Sequence, residues 1–380
     1  MSKLEFKRWI LLPVSTLILM VIVGMIGKPA ETPVKLSQND LDSLDIKIGQ
    51  MVMIGIGNMT EIGDSNELMK TIAQGKVGGV VLFEKNINAI ASEKNLKNLI
   101  SKMSAASKIP LWVSIDEEGG KVHRLKEKYG FISMPSAAAM GKMSPDSTYY
   151  FYNLLAAELK GLGINLNYAP VMDIALNKEN TVVVKNNRCF SGTATGVSEH
   201  ALACVKAHRN NQVMTVLKHF PGHGSSTTDS HHGIADVTKT WTFEELIPYS
   251  NLIKEGHTDA VMTGHLLNDK WDTVPSTLSS YVINGLLRNL MSFDGPVFSD
   301  DMQMYAIVLH YGRDKALELD INAGVDVMIF GNNVGKNEYP ATALDIHTAI
   351  KNLVLQGKIS MNRINQSYTR IIKSKQYLMK

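Results

Sequence analysis

Eight short apolar runs, rich in valine and isoleucine, limit the folds open to this chain more than any other feature. They fall at residues 51–56, 78–83, 111–115, 164–169, 213–217, 260–263, 296–299 and 325–330. Runs that are apolar nearly throughout, instead of alternating, belong to strands covered by helices on both faces. Segments of helical period lie between them, at 92–107, 145–161, 197–211, 242–256, 281–292, 304–323 and 341–356, and a last one closes the chain at 360–377. Glu93 stands in a first helical turn, and Gly161 and Gly256 stand where helix-ending glycines are expected. Eight strand–helix units within roughly 340 residues predict an α/β fold, a single (β/α)8 TIM-type barrel, with a doubly wound open sheet as the alternative. An apolar fraction of 44% is ample for the core this requires.

Active sites of barrels lie where strands end, so the residues that follow each run are the informative ones. Asp116-Glu117-Glu118-Gly119-Gly120 follows the third run; Asn167 and Asp173 belong to or follow the fourth, with Arg188 further along. Lys218 and His219 follow the fifth, His265 the sixth, Asp300 and Asp301 the seventh, and Gly331-Asn332-Asn333 the eighth. Lys76 and Lys108, at the opposite strand ends, read as surface charges. The segment at 218–233, KHFPGHGSSTTDSHHG, holds four histidines. Pro221-Gly222 forbids a helix there and the Ser/Thr run bonds its own backbone, which predicts a long functional loop.

Two groups on opposite walls of such a mouth can perform displacement at an acetal carbon, one attacking while the other protonates the leaving oxygen. Asp300 is the candidate nucleophile, because it comes directly after the buried Val297 and Phe298. Asp301 should point the other way and cap the following helix. In Asp229-Ser230-His231 a carboxylate precedes an imidazole by two residues, close enough to orient it and raise its basicity as a proton donor. A neutral imidazole does not repel an anionic acceptor, so phosphate as well as water could attack the intermediate.

KHFPGHG followed by DSHH, with IDEEGGKVHR upstream and FSDDMQM downstream, resembles the glycoside hydrolase family 3 β-N-acetylhexosaminidases, the group that contains the peptidoglycan-recycling β-N-acetylglucosaminidases. The resemblance covers about residues 41–380 and implies one catalytic barrel there. It implies a retaining, exo-acting β-N-acetylglucosaminidase that removes terminal β-linked GlcNAc from cell-wall or chitin-type fragments, with a phosphorylase on the same scaffold as the alternative. It also implies that Asp300 forms the covalent intermediate, that His231 and Asp229 form the acid–base dyad, and that no cofactor or metal takes part. The sugar would be held by Asp116 and Arg124, by Arg188 in the run RCF, and by Lys218 and His219. Lys121 and His123, where family members commonly carry arginine and glutamine, depart from the pattern, as does the run at 185–190, KNNRCF.

At the N-terminus, Lys3, Lys7 and Arg8 precede 19 uncharged residues at 9–27, long enough at about 1.5 Å per residue to cross a bilayer core. Residues 1–28 therefore read as a signal-anchor, or a cleaved signal peptide, and 29–40 as a linker. This places the remainder outside the cytoplasm, membrane-anchored through 9–27 or secreted. A net charge of +3 with scattered basic residues gives no reason to expect a nucleic-acid partner, and a monomer is the expectation. Cys189 and Cys204 form neither metal spacing nor a disulfide framework. A metal-dependent hydrolase is one rival reading, but Pro221-Gly222 prevents the helix that would align His219 with His223. A membrane-tethered glycan-binding protein is another; it would not need Asp300 together with Asp229 and His231.

Overall fold

β-branched residues fit a pleated surface that is covered on both sides, and in this chain they do so around a closed ring. The computed structural model describes residues 37–227, 233–333 and 341–376. Its strands are β1 (Val52–Gly55), β2 (Gly79–Leu82), β3 (Trp112–Ile115), β4 (Leu166–Asn167), β5 (Met214–Phe220), β6 (Ala235–Asp236), β7 (Ala260–Thr263), β8 (Leu266–Leu267), β9 (Val297–Asp301) and β10 (Val327–Phe330). Eight of them close a parallel barrel in the order β1-β10-β9-β7-β5-β4-β3-β2, while β6 and β8 pair beside it. The predicted barrel is the observed one, and the open sheet is excluded.

The helices are α1 (Gln38–Gln50), α2 (Glu67–Ala73), α3 (Ser92–Ala106), α4 (Ala137–Met140), α5 (Pro145–Leu162), α6 (Ala194–Asn210), α7 (Ile247–Lys254), α8 (Tyr305–Tyr311), α9 (Arg313–Ala323), α10 (Ala343–Leu355) and α11 (Met361–Lys375). Several differ from expectation for local reasons. The linker assigned to 29–40 gives way at Ser37, whose side chain and that of Asp40 form a capping box that starts α1. Seven residues of α2 are too few to show a helical period. The helix of 145–161 runs on past Gly161 and is ended by Gly163 at φ 89°. Gly312, at φ 65°, divides 304–323 into α8 and α9, and 281–292 contains a π-helical segment, Tyr281–Leu290. Among the described residues no helix is long and apolar enough to cross a membrane; residues 9–27 lie outside them.

The barrel is filled, not hollow. Trp112 from β3 and Phe298 from β9 meet with ring centroids 5.3 Å apart, and Tyr168 packs on Phe298 at 6.3 Å. Below them α11 inserts the fully buried Lys375, whose ammonium donates to Gln50 Oε1 at 2.7 Å and to the Gly78 carbonyl at 2.6 Å, with Trp112 at 4.5 Å. Asp326, at the N-terminal end of β10, gathers Arg288, Arg363 and Arg370 at the same end of the barrel. The ring is thus closed underneath, and its open side is the one reached by the strand C-termini.

Candidate active site

The two acidic residues after Asp116 have separate tasks. Glu117 is fully buried: Oε1 accepts the N–H groups of Arg124 at 2.5 Å and Leu125 at 2.7 Å, and Oε2 meets His123 Nδ1 at 2.5 Å. Those bonds fold residues 119–125 back over β3 and bring Arg124 to 3.9 Å from Asp116. The turn needs glycine: Gly119 has φ 93°, and a Cβ there would lie 2.3 Å from the Pro135 carbonyl oxygen. Burial disfavours the charged form of His123, but the bond and charge of Glu117 outweigh it and raise the ring's pKa.

Glu118 faces inward. It accepts two parallel bonds of 2.8 Å from Arg188, the bidentate geometry preferred by guanidinium–carboxylate pairs. Lys218, with a side chain only 2% exposed, joins Glu118 and Asp116 at 2.6 Å each. Burial pushes the Glu118 carboxyl upward, yet the Arg188 and Lys218 charges prevail and hold it well below the usual carboxylate range. Two carboxylates and two cations therefore share one buried network at the barrel mouth.

Lys218 and His219 lie within β5 and not after it. Against β7 the pairing runs Leu217↔Val261 and then Phe220↔Thr263, so β5 carries one extra residue between them. Such a bulge suspends the strict alternation of side chains, and both residues line the same cavity. Arg188 places a nitrogen 3.3 Å from His219 Nε2 and can only donate, so Nε2 accepts and Nδ1–H donates to Asp173 Oδ2 at 2.7 Å. Asp173 also accepts the His223 N–H at 2.8 Å. The chain beyond β5 is fixed by Glu245, which accepts from Ser225 Oγ at 2.6 Å and Gly224 N–H at 2.8 Å. Burial, the leading cause, raises the Glu245 carboxyl to about 7. Gly224 lies so close to β4's outgoing chain that a Cβ would sit 1.7 Å from the Ile174 oxygen.

Across the ring, Asp300 and Asp301 close β9. Here too the register shifts, Val327↔Phe298 followed by Ile329↔Asp301. Contrary to the alternation argument, both carboxylates line the cavity. Asp301 does not cap a helix: Met304 is the N-cap of α8, while Asp301 accepts the N–H of Gln303 at 3.0 Å and of Gly331 at 3.2 Å. The cavity measures about 650 Å³, within the usual range of small-molecule sites. It gathers Asp116, Arg124, Arg188, Lys218, His219 and Asp300, six of the eight residues singled out from the sequence. The other two, Asp229 and His231, lie outside the described residues. Sequence reasoning gave no role to Glu118 or Tyr168 and set His223 aside as a loop-structuring or outer residue, yet all three line the same cavity. A third carboxylate in DEEGG was the available signal for Glu118; nothing in the sequence marked Tyr168. Among the described residues no group of three His, Cys, Asp or Glu side chains is arranged to hold a metal.

A filled parallel barrel with acids and buried cations converging on one cavity at its strand ends defines an enzyme of the (β/α)8 class. The glycosyl hydrolase family 3 N-terminal domain matches residues 43–374, and the chain belongs to glycosyl hydrolase family 3. β-Hexosaminidase A of Pseudoalteromonas piscicida is 30% identical over 336 residues, covering 81% of this chain and 55% of its own length. A family 3 β-N-acetylglucosaminidase structure from Paenibacillus sp. superposes with a TM-score of 0.79 at 32% identity, covering 90% of this chain and 63% of that one. The β-N-acetylhexosaminidase structure from Beutenbergia cavernae gives 0.77 at 26% identity, and there 99% of the neighbour is covered. The chain thus spans about half to two-thirds of the first two proteins' length and nearly all of the third's.

Proposed function

We propose that the protein is a retaining β-N-acetylhexosaminidase that releases terminal β-linked GlcNAc through a covalent bond to Asp300. The observation that carries this reading is the placement of Asp300, at the end of β9, on the same cavity as the Asp116–Lys218–Glu118–Arg188 network on the facing wall. A sugar whose hydroxyls bond Asp116 and Arg124 turns its anomeric carbon toward β9, where an ionised carboxylate can attack. Attack forms the C1–Oδ bond and breaks the glycosidic C1–O bond, and the leaving oxygen takes a proton. His231, oriented by Asp229, supplies that proton and then removes one from the water or phosphate that releases the sugar. The relatives' names, β-hexosaminidase and β-N-acetylglucosaminidase, support the choice of an N-acetylated sugar. Cell-wall or chitin-type fragments are the proposed substrates, met outside the cytoplasm by an enzyme that residues 9–27 export or tether.

The test is Asp300→Ala on 4-nitrophenyl β-N-acetylglucosaminide, with turnover expected to vanish. Proton NMR of the first-formed product should show the β-anomer. Wild-type turnover by the variant, or an α-product, defeats the proposal.

A further inference from the structure

We infer that His223 is a substrate-contact residue whose Nε2–H donates to the carbonyl oxygen of the sugar's 2-acetamido group, and that it thereby sets the preference for N-acetylated over plain hexoses. The inference deepens the proposed function and rests on it.

The starting point is which donors remain available. Arg188 has five N–H groups and makes four hydrogen bonds within the protein, two to Glu118, one to the Val182 carbonyl and one to His219. Lys218 has three and directs two of them at Asp116 and Glu118. Arg188 and Lys218 are therefore largely occupied within the protein, and Arg124, whose Nε also lacks a partner, is the residue assigned above to the sugar's far hydroxyls. His223 is different: it is 2% exposed, lines the cavity, and its Nε2 has no partner. A buried polar atom left open costs stability unless a ligand completes it.

The neighbours of its other nitrogen assign the tautomer. His223 Nδ1 lies 2.7 Å from Ser226 Oγ, which already accepts from Asn180 Nδ2 at 3.0 Å. Were Nδ1 the donor, the fully buried Ser226 hydroxyl would have no acceptor for its own proton. With Ser226 donating to Nδ1, every other proton in the group is placed, and Nε2–H is the donor of this cavity-lining ring that is left without a partner. Burial keeps this ring neutral, lowering its pKa to about 4.

Ring order supplies the direction. Between β9, which carries Asp300, and β3, which leads to Asp116 and Arg124, β5 stands midway around the barrel. A hexose with C1 at Asp300 and its far hydroxyls at Arg124 has C2 along one edge between them. Toward β5 that edge meets His223; the opposite wall presents the apolar Val81, Phe83 and Ile329 and, beyond β10, the exposed Asn333.

The experiment compares inhibition constants of N-acetylglucosamine and of glucose against 4-nitrophenyl β-N-acetylglucosaminide, for wild type, His223→Leu and His223→Gln. Loss of one neutral hydrogen bond should raise the N-acetylglucosamine constant about fivefold in H223L and leave glucose unchanged, while H223Q, which retains an N–H, stays within about twofold of wild type. Parallel weakening of both sugars, or no change in either, overturns the inference. In wild type labelled with nitrogen-15 histidine, the His223 Nε2–H signal should move with N-acetylglucosamine and not with glucose; a signal that stays still overturns the inference even if H223L does not fold. Absence of wild-type turnover removes the proposed function itself, an outcome distinct from these.

Discussion

Replacing Glu118 by glutamine tests whether the buried charge network organises the site. The change preserves side-chain volume but removes the negative charge and gives one of its two oxygens' positions to an N–H, which cannot accept from Arg188. Lys218, 2% exposed at its side chain, then keeps only Asp116, which also has Arg124 at 3.9 Å, and Arg188, 11% exposed, loses the carboxylate it is paired with. Removing one partner of a buried ion pair costs about 3–5 kcal/mol, and because Asp116 still compensates Lys218 the lower figure applies, about 3 kcal/mol. That is a large part of the roughly 5–15 kcal/mol by which domains are stable. The sign with pH follows from the depressed carboxyl. A group whose folded pKa is lowered stabilises above its unfolded value, about 4.3, and its contribution is lost as pH falls through the folded one. Urea denaturation should therefore show the full gap between wild type and Glu118→Gln at pH 7, and a narrowing gap below about pH 4. A gap under about 1 kcal/mol at pH 7, or one that does not change down to pH 3, refutes the reasoning.

The remaining predictions concern other parts of the barrel. Asp326→Ala strips Arg288, Arg363 and Arg370 of their common buried acceptor and should cost about 3–5 kcal/mol in urea denaturation, while activity per folded molecule is kept, because Asp326 lies at the closed end. Glu245, raised to about 7 by burial, favours the folded state at low pH and withdraws that contribution as pH rises from about 4.5 through 7; Glu245→Gln should flatten this part of the stability profile, and an unchanged slope in urea midpoints contradicts it. Activity on the nitrophenyl substrate should survive a strong chelator; loss that zinc restores would favour the metal-dependent rival.

The barrel was legible because its signal is long and repetitive. Eight apolar runs, each buried on both faces, leave few architectures, and a few misplaced helix ends do not alter that count. The site was legible where the chemistry is local: Asp116 directly follows a strand, and Asp300 and Lys218 lie in the last residues of theirs. What failed was the inference from alternation. It sent Asp301 away from the cavity, because β9 holds an extra residue against β10; β5 was ended before Lys218 for another reason, that the apolar run stops at Leu217, whereas the strand runs on to Phe220 with an extra residue of its own against β7. A bulge is a property of two paired strands, so no single run of sequence announces it. Glu118 was missed for a related reason. Its partner Arg188 is 70 residues away, and only closure of the ring reveals that the pair is buried. The bulges are also what make the site possible: strict alternation would turn every second residue of β5 and β9 outward, and Lys218 with His219, or Asp300 with Asp301, could not both reach one cavity. A substitution that straightened β5 without touching any charged residue should thus disable the mouth of the barrel as surely as removing one of its acids.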